Sequence, residues 1–294
     1  MTLPILKVDL DLPAERRWDV LAPHVDAVRA MLDAYRDDFG DPTPFYPLIG
    51  TYVELFCSPE LRAEFAAVAA LADRDVLEVA FANLYYDAMK HFMGGSLGCT
   101  AFAVDVDGAV LHARNLDWHS PDNVLERHTA IVEYVRGDRL SYGVVGWPGF
   151  LGAYSGVAPG RFAVTLNAVL SDEAPGLHPP MTFLLRRALD EAADFDAAVS
   201  LLSETAVASD SLLLVSGRRA GDRVIIERTP TRHAIRPAGV VTNDYRTLFD
   251  GAAKGVLGAT ACERFDKASD GLVAVRTPTD AFDVLRKVRM GITV

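Results

Sequence analysis

The stretch Gly94-Gly95-Ser96-Leu97-Gly98-Cys99-Thr100-Ala101-Phe102 divides the 294-residue chain into two kinds of sequence. Before it, Val25, Val28, Leu32, Tyr35 and Phe39 recur at the three-and-four spacing of one buried helix face. Gly40-Asp41-Pro42 ends that helix. A second helix is predicted from Pro59, a first-turn proline behind a Ser58 cap, through Leu61 to Leu71. A third runs from about Asp75 to Met93, with Asp73 or Asp75 as its cap. Glycine at positions 94, 95 and 98 makes further helix costly. Beyond Cys99 the period falls to two. Thr100–Val106, an Asp107-Gly108 turn and Ala109–Ala113 read as a hairpin. Further strands are predicted over Thr129–Val135, Leu140–Gly146, Phe162–Leu166, Ser211–Ser216, Arg223–Arg228 and Val240–Thr242. Helices are predicted over Pro180–Ala193, Phe195–Thr205, Thr260–Ala268 and Pro278–Val288. A helical first third followed by strands that enclose helix pairs predicts an α+β fold of stacked helix and antiparallel-sheet layers.

Half of the residues are hydrophobic, enough for a large core. The apolar residues are dispersed, and no run approaches the roughly 20 that a membrane span needs. Pro4, Lys7 and Asp9 interrupt the first ten residues, so no secretory leader is expected and the predicted location is cytoplasmic. A net charge of -11 argues against nucleic acid as a partner, because phosphate binding needs a clustered basic face. Three cysteines, Cys57, Cys99 and Cys262, are too few and too scattered for a disulfide framework. The seven histidines include no H-E-x-x-H, and His112 with His119 has no recognisable ligand set. Neither a metal nor an organic cofactor is expected.

Gly94-Gly95-Ser96-Leu97-Gly98 matches G-x-S-x-G, but that nucleophile elbow needs a strand before it and a helix after it. Here the order is reversed, which sets Ser96 aside. Cys99 is the better candidate. A cysteine that opens a strand behind a glycine linker fits a nucleophile freed by cleavage between Gly98 and Cys99. The new α-amino group would have a pKa of about 7.7–8.0, below the roughly 8.5 of a thiol, and could serve as the base for its own side chain. By position alone, a small apolar strand residue is the better explanation of Cys99; its neighbours along the chain reverse that. Arg114-Asn115-Leu116-Asp117 returns towards it along the hairpin. Arg114 would favour thiolate, and Asp117 would orient the α-ammonium; the two could instead form a solvated surface pair. Asn167 and Asn243 each end an apolar strand, where a side-chain amide could donate to an oxyanion or simply make a turn.

Cys99-Thr100-Ala101-Phe102, then Asp107-Gly108, then Arg114-Asn115-Leu116-Asp117-Trp118 together resemble the start of the mature catalytic chain of the acid ceramidases and N-acylethanolamine-hydrolysing acid amidases. These are N-terminal-nucleophile (Ntn) hydrolases related to choloylglycine hydrolases and penicillin V acylase. Asp11-Leu12-Pro13, Arg16-Arg17-Trp18, Phe150 to Gly156 and Thr242-Asn243-Asp244-Tyr245 are similar to further family segments in the same order. The resemblance implies a four-layer αββα sandwich. It implies a helical pro-segment, 1–98, that stays paired with a catalytic chain, 99–294. It further implies hydrolysis of a small-molecule linear acyl amide through a thioester on Cys99. Asn243 would hold the oxyanion, Asn167 would help to bind substrate or the free amine, and Arg264 would be a second active-site arginine. Trp147, Phe150, Leu151 and Tyr154 could line an acyl pocket, though core packing explains such a cluster as well. Three departures are expected. The family's animal members enter the secretory pathway and can carry disulfides, and neither is expected of this sequence. Gly251 to Gly258 is longer than the family's equivalent, and the family continues beyond Gly291-Ile292-Thr293-Val294 through a closing strand. A bile-salt or penicillin-type acylase, an acyltransferase, and a non-catalytic lipid-binding relative remain the alternatives.

Overall fold

The strand that carries Cys99 faces two cores, and its alternation explains the layering. The computed structural model describes residues 3–92, 97–249 and 259–290. Strand β2 (Leu97–Val106) pairs with β3 (Ala109–Trp118) and with the short β11 (Val240–Val241) in a three-stranded antiparallel sheet. Ala101 and Ala103 point to one side and pack with Leu212, Leu214 and Ile225 of a larger sheet. Phe102 points to the other side and packs with Ala268, Val284, Leu285 and Val288 of the two closing helices, α9 (Ala261–Leu272) and α10 (Pro278–Val288). Small residues on the inner face let the sheets approach; a large aromatic on the outer face fills the gap to the helices.

The larger sheet has eight strands in the order β1-β4-β5-β6-β7-β8-β9-β10. These are β1 (Ile5–Asp9), β4 (Ala130–Arg136), β5 (Arg139–Gly146), β6 (Ser155–Ala158), β7 (Phe162–Asn167), β8 (Ser211–Ser216), β9 (Arg223–Arg228) and β10 (His233–Pro237). All neighbours are antiparallel except β1 and β4, where Leu6 lies opposite Val132. Its second face carries Val132, Val144, Val164, Leu213 and Ile226 into the main core. That core is closed by α1 (Val25–Phe39), α3 (Pro59–Ala72), α4 (Val76–Asn83), α5 (Tyr85–Phe92), α7 (Met181–Glu191) and α8 (Phe195–Glu204). Three cores between four layers make the αββα sandwich. Among the described residues, no helix is long and apolar enough to cross a membrane.

The expected elements differ from the structure in instructive places. Ser58 caps its helix by accepting from Leu61 N–H at 3.1 Å, and Asp75 rather than Asp73 caps the next, accepting from Leu77 N–H at 2.7 Å. The predicted Asp75–Met93 helix is broken at Leu84. Asn83 donates its side-chain amide to Val79 C=O and Gly149 C=O, both at 3.0 Å, and accepts from Leu151 N–H at 2.7 Å. An asparagine that bonds its own turn and a distant loop competes with the helix ladder. Two further helices, α2 (Tyr46–Phe56) and α6 (Val124–His128), were not expected, nor were β6 and β10. The segment 1–98 is not wholly helical, because β1 is an edge strand of the large sheet; its ladder depends on β4, more than a hundred residues away in sequence. Met93 to Ser96, the Gly251–Gly258 stretch and Gly291–Val294 lie outside the described residues.

One buried ion pair fastens α3 to α7. The Glu64 carboxylate accepts from Arg186 at 2.5 and 2.8 Å, from Arg17 at 3.1 Å and from Trp18 Nε1 at 3.2 Å. Burial alone would raise this carboxyl, but Arg186 and the other donors hold it below its usual range. A depressed carboxyl adds stability above its unfolded pKa, and that stability is lost as pH falls through the folded value. Glu64→Ala should cost about 3–5 kcal/mol at pH 7, because it leaves Arg186 buried and unpaired, and the deficit should shrink in acid. Urea unfolding at pH 7 and pH 4 measures both. A loss below about 1 kcal/mol at pH 7, the level of an exposed pair, would contradict this account.

Candidate active site

The hairpin extends further than its apolar pattern indicates. β3 continues past Ala113 to Trp118, and Cys99 lies opposite Leu116, Ala101 opposite Arg114, and Gly98 opposite Asp117. Arg114 to Asp117 are therefore strand residues beside Cys99, not a loop returning to it. Alternation decides which side each serves. Cys99, Arg114 and His112 face the large sheet; Asp117 and Asn115 face α9 and α10. Arg114 and Asp117 thus do not form the alternative surface pair, and Asp117 is wholly buried.

Cys99 is 2% exposed and is held at three atoms. Its N–H donates to Asn243 Oδ1 at 2.9 Å. Its C=O accepts from Arg264 Nη1. Its Sγ lies 3.5 Å from Arg114 Nη2. Arg264 also donates to Thr100 Oγ1 at 2.9 Å, to Asn243 Oδ1 at 2.7 Å and, through Nε, to Thr260 Oγ1 at 3.0 Å. The structure brings Cys99, Arg114, Asn243 and Arg264 together, although Arg264 follows Asn243 across the long glycine-containing stretch.

The asparagines differ in what they have left to offer. Two donors converge on Asn243 Oδ1, which fixes the orientation of its amide, and Nδ2 donates to Ala168 C=O at 2.7 Å. One amide hydrogen of the two remains for an oxyanion. Asn167 donates Nδ2 to both Val241 C=O, at 3.1 Å, and Thr242 C=O, at 2.9 Å. That ties β7 to the segment leading into Asn243 and leaves Asn167 only its acceptor oxygen, which suits an amine rather than a carbonyl.

Asp117 Oδ1 accepts from Met290 N–H at 3.3 Å, and a Cβ placed on Gly98 would meet Met290 Sδ at 2.2 Å. The residue before Cys99 is therefore one whose missing side chain lets Met290 settle over it. Trp147, Phe150 and Tyr154 are buried in the main core. Phe150 stacks on Tyr154 with ring centroids 5.1 Å apart, Trp118 meets Tyr154 edge-on at 5.6 Å, and Trp147 Nε1 donates to Leu125 C=O at 2.8 Å. Cys57 is buried in the main core and Cys262 is exposed.

Several groups in the cluster carried no signal in the sequence. Arg114 Nη1 donates to Ser155 Oγ at 2.7 Å and Nη2 to Leu166 C=O at 2.8 Å. His112 spans the two sheets between Ser216 Oγ, 2.8 Å away, and Thr165 Oγ1, 3.0 Å away. Burial, with a contribution from Arg114, pushes its imidazole down to about 3, so it is neutral. Tyr86 and Tyr154 are held neutral by burial as well. Burial lowers the Arg264 guanidinium, against the opposing pull of Cys99 and Asp117. Among the described residues, no group of three His, Cys, Asp or Glu side chains is placed to hold a metal ion.

No family model matches the chain. In sequence it is similar to an N-acylethanolamine-hydrolyzing acid amidase of Caenorhabditis elegans, 26% identical over 264 residues, covering 83% of this chain and 74% of that protein. The protein of the same name from Rattus norvegicus is 29% identical over 244 residues, covering 77% and 64%. Acid ceramidase of Homo sapiens is 21% identical over 258 residues, covering 77% and 63%. The chain thus spans less than two thirds of the length of the rat and human proteins. Among solved structures it is similar to an N-acylethanolamine-hydrolyzing acid amidase ortholog of Caenorhabditis elegans, with a TM-score of 0.56 and 24% identity over 67% of this chain and 90% of that one. The αββα sandwich is that of the Ntn hydrolases.

The inter-sheet histidine gives the site a pH signature. Its folded pKa lies below the unfolded value of about 6.5, so as pH falls the unfolded chain takes the proton first. Stability is full above about pH 6.5 and drains towards pH 3, by about 2 kcal/mol at pH 5. His112→Gln, which can still bridge Thr165 and Ser216, should flatten that slope. Unfolding midpoints in urea at pH 7 and pH 5 test this, and equal slopes in the two proteins would contradict it.

Proposed function

We propose that the chain is an autocatalytically processed cysteine amidase that hydrolyses linear, fatty acyl amides through a thioester on Cys99. The observation that carries this reading is the hold on Cys99 itself. Its amide nitrogen, carbonyl and sulfur are each bound by a different side chain, in a fold shared with amide hydrolases. A purely structural cysteine needs no such arrangement.

In the first step Cys99 Sγ attacks the Gly98 carbonyl carbon. The Gly98–Cys99 C–N bond breaks, the acyl group passes to sulfur and the Cys99 nitrogen becomes an amine. Water then hydrolyses the thioester, leaving a Gly98 carboxylate and a free thiol. Segments 1–98 and 99–294 would remain together as an N-terminal and a catalytic chain. In turnover, the α-amine takes the thiol proton as sulfur attacks the substrate carbonyl and passes it to the leaving amine; water releases the acid. Asn243, with its remaining amide hydrogen, and a backbone N–H stabilise the oxyanion. Arg114 supplies positive charge beside sulfur, and Arg264 fixes the Cys99 carbonyl. Asp117, now bonded to Met290 N–H, would turn to the new α-ammonium. The relatives' names favour N-acylethanolamines and ceramides as the first substrates to test.

Cys99→Ala should abolish both chain cleavage and hydrolysis of an acyl-amide panel, while Cys57→Ala and Cys262→Ala leave both largely intact. Intact mass spectrometry and product analysis read the two activities separately. Cleavage that persists in Cys99→Ala with proteases excluded would overturn the autocatalytic step, and persisting hydrolysis would overturn the nucleophile.

Asp117→Asn keeps the shape of the side chain and removes its charge. Losing one charge-assisted hydrogen bond should cost about 1.5–3 kcal/mol, a roughly 10- to 150-fold fall in turnover. Turnover and melting temperature should be measured on the same pre-cleaved samples. Unchanged turnover with a lowered melting temperature would remove Asp117 from the site.

A further inference from the structure

Arg114 leaves the small sheet and ends in the large one. Nη1 donates to Ser155 Oγ on β6, at 2.7 Å, and Nη2 to the Leu166 carbonyl on β7, at 2.8 Å. The Leu166 carbonyl is part of a fixed backbone, since Leu166 N–H donates to Tyr154 C=O at 2.8 Å. One acceptor leaves a guanidinium free to swing about the bond it makes. Two acceptors on different terminal nitrogens fix the plane of the fork. With both in place, Nη2 also faces Cys99 Sγ at 3.5 Å. Among the described residues, Ser155 is the side-chain oxygen that supplies the second anchor.

We infer that Ser155 is a positioning residue for the nucleophile: its hydroxyl sets the guanidinium plane so that Arg114 is aimed at Cys99. This rests on the cysteine-amidase reading above. The chemical type of the anchor matters as much as its place. A carboxylate at position 155 would hold the guanidinium more tightly but cancel its charge beside the sulfur. A hydroxyl accepts the same hydrogen bond and leaves the positive charge uncompensated. The next polar layer behaves consistently. Thr165, directly opposite Ser155 in the β6–β7 ladder, binds His112, which burial keeps neutral, so neither a second cation nor an anion competes for Arg114 there.

Removing the hydroxyl leaves Nη1 without its acceptor in a partly buried site, and the guanidinium must turn to satisfy it. The isosteric pair Ser155→Thr and Ser155→Val isolates the hydroxyl, and Ser155→Ala serves in its place if the valine variant does not fold. The Ser155 variants and Arg114→Ala are measured as pre-cleaved protein on one acyl amide, with uncleaved Cys99→Ala as the control. The valine variant should lose about 10- to 100-fold in kcat, the range for a lost bond to a charged group, with KM within about twofold. The threonine variant should stay within about threefold of the native protein. In an Arg114→Ala background, Ser155→Val should add no more than about twofold, because the residue acts through Arg114. An unchanged kcat in Ser155→Val, or its full loss repeated in the Arg114→Ala background, overturns the inference. Full activity in Cys99→Ala would overturn the amidase reading instead, so the two failures are distinguishable.

Discussion

The molecule depends on β2 serving two cores with alternate residues. Ala101 and Ala103 must be small for the sheets to close, and Phe102 must be large to reach α9 and α10. Cys99 shares the face of the alanines, so its thiol lies between the sheets. The same period puts Thr100 and Asp117 on the far face, where Arg264 and the end of α10 meet them. A shift of one residue in the β2–β3 register would exchange the two sets. The cores that fix that register therefore also fix which groups can touch Cys99, and packing and chemistry are specified by one pattern.

That pattern is local, and this is why it was legible. Cys99, Arg114 and Asp117 sit on a single hairpin whose turn and alternation can be read in the sequence, and Asn167 and Asn243 end strands that can be read too. The strand limits of Ser211–Ser216 and Arg223–Arg228 follow from short continuous apolar runs bounded by polar residues, and those of the Pro278–Val288 helix from an amphipathic run. What escaped the sequence depends on distant partners. β1 is a strand because β4 is there to receive it, and Asn83 breaks a helix because a loop 66 residues on needs its amide. The role of Ser155 is invisible for the same reason. A serine among glycines carries no periodic signal, and its importance arises only where β6 passes under the Arg114 side chain.

The leading segment is more than a covering layer. β1 completes the edge of the large sheet, and Glu64 from α3 reaches Arg186 on α7. Both contacts join residues before Cys99 to residues after it. A cut at Gly98–Cys99 would therefore convert an intramolecular ladder and a buried ion pair into an interface with native packing, without requiring either part to fold anew. This is the physical basis for expecting the two pieces to stay together.

The buried and half-buried arginines show how the site differs from the scaffold. Arg186 is neutralised by the Glu64 carboxylate, and this pair serves stability. Arg161 and Arg228 are held by carbonyls at the ends of α7 and α8, where the helix dipoles supply a negative end. Arg114 and Arg264 have neither kind of compensation in their direct hydrogen bonds. Their partners are the hydroxyls of Ser155, Thr100 and Thr260, the amide oxygen of Asn243, and the carbonyls of Leu166 and Cys99. Neutral acceptors satisfy every one of these donors but Arg114 Nε, which is buried without a partner, and they leave the charge in place. Two guanidinium groups so held place positive charge beside Cys99, which on the proposed reading would stabilise the oxyanion of the reaction. Asp117 pulls on Arg264 from the far face of the hairpin, so Arg114, bonded to neutral groups alone, is the cation that an amide hydrolase of the proposed kind would use beside its sulfur.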